Sequence, residues 1–132
     1  MPQDEVGSIV SQPSARELAG TALRVVKSVT SSGLQGDGSS IPYAASKAAL
    51  NCMTKSLARA FGPKVRVNAV APGPVLTRWL ADHRERVERY IQVTPLQRAA
   101  TADDIADVAV FLALGTTLMT GQVIVADGGR TM

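Results

Sequence analysis

The sequence predicts an α/β fold, a parallel sheet flanked by helices, and three observations carry that prediction. Helical and extended patterns alternate along the chain, as parallel strands joined by crossover helices require. The extended run Val65–Val70 is mostly apolar, as expected of a strand covered by helices. Glycine and proline punctuate the junctions, at Gly62-Pro63, Pro72-Gly73-Pro74 and Gly128-Gly129.

The elements follow in order. Residues 1–15 have weak periodicity and are expected to be loose, although Gly7-Ser8-Ile9-Val10 also suits a strand fragment. Leu18, Ala22, Val25, Val26 and Val29 fall at helical spacing, yet three valines within Arg24–Val29 suit a strand, and period alone leaves both readings open. Thr30–Ser40 is rich in Gly and Ser and reads as a loop. Ser39 or Ser40 can cap the next helix, with Pro42 in its first turn. That helix is expected to run to about Phe61, with Leu50, Met53, Leu57 and Phe61 as its apolar stripe and Gly62-Pro63 as its stop. Val65–Val70 is the following strand, ended by Ala71-Pro72-Gly73-Pro74. Leu76–Ile91 reads as a helix of mixed charge. Thr101-Ala102-Asp103-Asp104 opens a capped helix through about Leu114, its first-turn acids matching the helix dipole. Gly121–Ala126 is the last strand, closed by Asp127-Gly128-Gly129. No internal repeat or domain boundary is visible.

Composition narrows the function classes. A length of 132 residues corresponds to one domain or part of one. With 45% hydrophobic and 19% charged residues, it is that of a soluble globular protein. The net charge of +3 is scattered, and Arg78, Arg84, Arg86 and Arg89 interleave with Asp82, Glu85 and Glu88, so a solvated helix face is expected and no nucleic-acid partner. Cys52 is the single cysteine, which excludes an internal disulfide and metal-cluster spacing, and fits a reducing cytosol. The acidic start does not read as a signal peptide, and the apolar run Ile105–Leu114 is interrupted by Asp107 and too short for a bilayer. A cytoplasmic protein without metal or membrane partner is the expectation. His83 is the single histidine and no Gly-x-Ser-x-Gly exists, so a Ser-His-Asp hydrolase finds no support.

The chemistry-bearing feature is Tyr43-Ala44-Ala45-Ser46-Lys47. On a helix, residues four apart share a face. An ammonium beside a phenol favours the phenolate and lowers a pKa that otherwise lies near ~10. A tyrosine so placed can exchange a proton with an alcohol or carbonyl oxygen near neutral pH.

Three blocks, in order and at suitable spacing, resemble the short-chain dehydrogenase/reductase family. They are Tyr-Ala-Ala-Ser-Lys-Ala-Ala-Leu from residue 43, Arg-Val-Asn-Ala-Val-Ala-Pro-Gly-Pro-Val-Leu-Thr from 66, and Thr-Gly-Gln-Val-Ile-Val-Ala-Asp-Gly-Gly from 120. Residues 16–132 look family-like, most clearly from Thr30, and resemble the C-terminal half of a member, on the 3-oxoacyl-carrier-protein-reductase-like branch. The resemblance implies part of a Rossmann-like, doubly wound parallel sheet whose N-terminal βαβ half is missing. It implies hydride transfer between NAD or NADP and an alcohol or ketone. Tyr43 would be the acid/base, and Lys47 would tune it and bond the nicotinamide ribose. Pro72, Gly73, Val75 and Thr77 would hold the nicotinamide, at the strand end where such sheets bind ligands. The family's serine, thirteen residues before the tyrosine, is Thr30 here, with Ser31 next in line. Trp79, His83 and Tyr90 fall in the family's substrate lid, where they either line the pocket or pack the lid. The implied partners are a small alcohol or ketone and a second copy or related subunit.

The departures are as specific. The family's Thr-Gly-x-x-x-Gly-x-Gly phosphate turn has no match, because Gly33, Gly36 and Gly38 have the wrong spacing and context. The residue that selects NAD or NADP is also not found. Glu17 stands where the family has an asparagine, and the helix expected there runs straight into Thr30-Ser31-Ser32-Gly33. Either Arg24–Val29 supplies the intervening strand or a central strand is gone. These departures leave room for a second reading, a catalytically silent fragment or a module docking on a full-length paralogue through an exposed sheet edge.

Overall fold

The computed structural model describes residues 23–36, 40–77 and 83–132. The loose segment 1–15, the Gly7–Val10 fragment, the helix at Glu17, Gly38, Ser39 and Trp79 lie outside the described residues.

Leu23–Ser28 forms strand β1, so Arg24–Val29 does supply the intervening strand and the helical spacing of its valines is coincidental. The choice is made by tertiary pairing: β1 lies parallel to β2 (Val65–Pro72), from Leu23 opposite Val65 to Ser28 opposite Val70. On the other side of β2 lies β3 (Val123–Ala126), also parallel, from Ala69 opposite Val123 to Pro72 opposite Ala126. The order β1-β2-β3 makes β2 the central strand, and it is buried at every position after Val65. Val29, Ala69 and Ala71 form a core cluster against which Leu50 and Val123 pack.

Two polar residues on β2 are buried, and the chain supplies partners for all their side-chain polar atoms except Arg66 Nε. Asn68 donates through Nδ2 to the Met119 carbonyl at 2.9 Å and accepts at Oδ1 from the Gln122 amide at 3.1 Å. Arg66 donates to the carbonyls of Met119, Leu112 and Ala113 at 2.9, 3.1 and 2.9 Å. The last two carbonyls belong to a π-turn, where a cation offsets the negative end of the helix dipole. Burial, and then the like charge of Arg24 opposite on β1, push the Arg66 guanidinium below its usual value.

The Gly/Ser-rich stretch is not all loop, since Ser32–Gln35 makes a single helical turn, α1, closed by Gly36 in the left-handed region at φ 73°. Helix α2 (Ile41–Phe61) starts as expected, with the Ser40 hydroxyl accepting from the Tyr43 amide and Pro42 in the first turn. Its apolar stripe is different from the one expected. Leu50 and Leu57 are half-buried, but Met53 and Phe61 are 46% and 52% exposed. The buried face is Ala44, Asn51, Thr54 and Ala58, small and polar side chains that let the helix backbone approach the sheet, where it packs on β2.

Of the helix expected over Leu76–Ile91, Arg84–Gln92 forms α3, while Leu76, Thr77 and His83 are irregular and residues 78–82 lie outside the described residues. Helix α4 (Ala102–Val110) has a reciprocal capping box between Thr101 and Asp104, and it passes into the π-turn Phe111–Gly115. Regular β3 starts at Val123 rather than Gly121, because Gly121 takes φ 71° to enter the strand. No helix among the described residues is long and apolar enough to cross a membrane.

Candidate active site

Because the three strands among the described residues are parallel, their carboxyl ends open on one edge of the sheet, and most of the expected site residues collect there. Thr30 and Ser31 follow β1, and Pro72 and Gly73 end β2. The Pro72 carbonyl accepts from the Ser31 amide at 3.0 Å and from the Thr30 hydroxyl at 3.4 Å, which ties the two segments together. Thr30 is half-buried, whereas Ser31 is only 2% exposed.

The same segment is clamped to α2. Gly33 lies so close to that helix that a Cβ there would sit 2.6 Å from the Lys47 carbonyl carbon and 2.8 Å from the Ala48 nitrogen. Its carbonyl accepts from Asn51 Nδ2 at 3.3 Å. One helical turn above Asn51 on the same helix stands Lys47, and one turn above that stands Tyr43. The Lys47 ammonium is 5.5 Å from the centre of the Tyr43 ring, within cation–π range. Tyr43 is 38% exposed, and its hydroxyl makes no hydrogen bond among the described residues.

Beyond β2 the chain is held extended by a second rail. Val75 bridges Ala100 in parallel register, with the Ala100 amide donating to the Pro74 carbonyl at 3.0 Å and the Leu76 amide to the Ala100 carbonyl at 2.8 Å. A parallel bridge of this kind engages the neighbours of Val75, so its own amide and carbonyl point to the opposite side. Gly73 is fixed by packing, because a Cβ there would lie 2.8 Å from that of Asp127. Asp127 is itself buried, accepting from the amides of Gly129 and Thr131 at 2.9 and 3.0 Å.

Tyr43 is thus brought to Lys47, Thr30 and Ser31 to Pro72, and Val75 to Ala100. Thr77 is exposed and joined to none of them by a hydrogen bond. Of the lid residues, His83 precedes α3 in the open, while Tyr90 packs beneath the Arg130 guanidinium, 5.0 Å from its ring centre. Asn51, Ala100 and Asp127 are not among the residues expected to shape the site, and Gly33 is expected only as part of the glycine-rich loop. Gly33 and Asp127 carry only turn signals in sequence, and Asn51 and Ala100 carry none.

The family model described as Enoyl-(Acyl carrier protein) reductase matches residues 12–131. The short-chain dehydrogenase/reductase homolog YusR of Bacillus subtilis (strain 168) is 45% identical over 100 residues, 76% of this chain and 77% of YusR. The crystal structure of 3-oxoacyl-[acyl-carrier protein] reductase from Brucella melitensis ATCC 23457 superposes with a TM-score of 0.76 at 34% identity, covering 83% of this chain and 42% of that one. A blue fluorescent protein from a metagenomic library, solved in complex with NADPH, gives a TM-score of 0.75 at 32% identity over 83% of this chain and 45% of its own. The chain therefore spans most of YusR but under half of either solved relative.

Proposed function

The chain belongs to the short-chain dehydrogenase/reductase family, and on that premise we propose that it serves hydride transfer between a nicotinamide dinucleotide and an alcohol or ketone. The observation that carries the reading is the Lys47 ammonium, 5.5 Å from the Tyr43 ring centre, beside an accessible phenol.

The residues present suit the nicotinamide–ribose end of such a cofactor. The outward-facing Val75 peptide offers one donor and one acceptor to a carboxamide, and Lys47 offers donors to ribose hydroxyls. Pro72, Gly73 and Thr77 would border the ring. The pyrophosphate is not matched among the described residues: Gly33 is used to pack on α2 and Gly36 to close α1. When bound, the cofactor supplies or receives the hydride. In the reducing direction Tyr43 would give its phenolic proton to the substrate's carbonyl oxygen, and in the oxidising direction it would take the proton back. Lys47 places positive charge beside the phenolate that forms. The exposure of Thr30 relative to Ser31 favours Thr30 as the hydroxyl that orients the substrate oxygen. The exposed Met53 and Phe61 of α2 favour association with a second copy or a related subunit.

The decisive assay follows dinucleotide oxidation with a 3-oxoacyl thioester, at high cofactor concentration, for the native chain and Tyr43→Phe. The variant is expected to lose about 10²–10⁴-fold in turnover, the usual worth of a positioned acid/base, with dinucleotide affinity little changed. Undiminished turnover would remove Tyr43 from the mechanism. With no phosphate turn among the described residues, the native chain is expected to bind NADH and NADPH weakly by fluorescence titration, and micromolar affinity would contradict that.

A further inference from the structure

We propose that Asp104 is a positioning residue for the nicotinamide subsite, fixing the Arg98–Thr101 segment that in turn orients the Val75 peptide. The inference rests on the reading of Val75 given above.

Asp104 gathers donors from both ends of that segment. Its Oδ2 accepts from Arg98 Nη1 at 2.6 Å, from the Thr101 amide at 2.7 Å and from the Thr101 hydroxyl at 2.9 Å, and its Oδ1 accepts from Arg98 Nη2 at 2.9 Å. The bidentate guanidinium and the helix cap therefore converge on one carboxylate. Ala100 lies between the two anchored residues. It holds the Pro74 carbonyl on one side of Val75 and the Leu76 amide on the other.

The approach to this segment is strained. Gln97 sits at φ 49°, the left-handed region, where a side-chain-bearing residue is costly. Its amide is held by the Thr94 carbonyl at 2.8 Å, and the Leu96 amide by the Gly128 carbonyl at 3.2 Å. A turn of this kind persists only where flanking contacts impose it, and on its far side those contacts are the Arg98–Asp104 pair. The pair is also too open to be explained by stability alone. The Arg98 and Asp104 side chains are 55% and 34% exposed, and ion pairs so exposed contribute little to folding. What four converging bonds do provide is a fixed backbone. That backbone touches one candidate ligand-binding peptide, the one at Val75.

The test uses the full chain labelled with ¹⁵N, with reduced nicotinamide mononucleotide as probe, because it carries the ring, carboxamide and ribose without needing a phosphate turn. In Asp104→Asn, mononucleotide affinity is expected to fall about tenfold, the scale of one lost charged hydrogen-bond partner. Exchange of the Leu76 and Ala100 amides should accelerate, while the Ala69 amide, bonded to Gln122 at 2.8 Å in the sheet, keeps its protection. Asp104→Glu should restore both. Arg98→Gln, which spares the helix cap, should weaken binding about threefold and settles the matter by the same criteria if Asp104→Asn loses Ala69 protection as well. Native affinity in these variants, or unchanged exchange at Leu76 and Ala100, would overturn the positioning role and leave the Val75 subsite standing. Failure of the native chain to show any mononucleotide-dependent shift at Val75 would overturn both.

Discussion

The two ends of β2 treat polar groups in opposite ways. In the amino half, Arg66 and Asn68 are 6% and 1% exposed, and three carbonyls and one amide from distant segments engage them. At the carboxyl end Thr30, Ser31 and Asp127 bond internally, but other polar groups are left open. The Tyr43 hydroxyl and the Val75 peptide make no hydrogen bond among the described residues, and the Lys47 ammonium lies over a ring rather than a carboxylate. One end uses its hydrogen-bonding capacity internally and contributes stability. The other leaves that capacity available to a ligand. Substitutions at the two ends should therefore separate folding from chemistry.

The largest stability effect is expected at the amino end. Asn68→Ala removes two buried hydrogen bonds and strands the Gln122 amide, while the Met119 carbonyl keeps its bond from Arg66, at a cost of about 2–4 kcal/mol. Urea unfolding measures it directly. A loss no greater than that of Tyr43→Phe, whose hydroxyl has no internal partner to lose, would erase the contrast between the two ends.

Gly33→Ala is the next test and probes what holds the open end in place. The new methyl would meet backbone atoms of Lys47 and Ala48, which cannot swing aside as a side chain would. Either α2 or the Thr30 segment must move, costing about 1–3 kcal/mol. The move breaks the Asn51–Gly33 bond and shifts Thr30 relative to Lys47. Substrate turnover should fall by more than the stability loss explains, with unfolding midpoints and turnover measured on the same preparation. An equal loss in both would mean that Gly33 serves packing alone.

These residues also mark where the sequence was legible. Element ends were readable wherever a local signal set them: Ser40 and Pro42 for the start of α2, Gly62-Pro63 for its end, and Thr101 with Asp104 for α4. The meeting of Thr30 with Pro72 followed from parallel strands alone. The buried face of α2 was not readable from large apolar side chains, because a helix lying close to a sheet selects small ones, and Ala44, Thr54 and Ala58 are inconspicuous in a hydropathy pattern. β1 was ambiguous because its valines satisfy both periods, and pairing with β2 decides between them. Arg66 and Asn68 act across 46–54 residues of sequence, as does Gly33 through Asn51 at 18, and no local pattern announces such contacts.

The smallest effect is electrostatic and concerns the rail behind Val75. The Arg98 guanidinium, followed by the Thr101 amide and hydroxyl, holds the Asp104 carboxyl well below the usual carboxylate range. A folded value below the unfolded one means that stability is gained on ionisation. The contribution is complete above the ordinary aspartate value near ~3.9 and is lost as pH falls through it toward the depressed folded value. Because the pair is exposed and screened, the gain is modest, below either substitution above. Asp104→Asn should therefore differ from the native chain in urea midpoint at neutral pH, and the two curves should converge on acidification below that range. Curves that stay parallel to low pH would show that the side-chain shape of Asp104, and not its charge, holds the rail behind Val75.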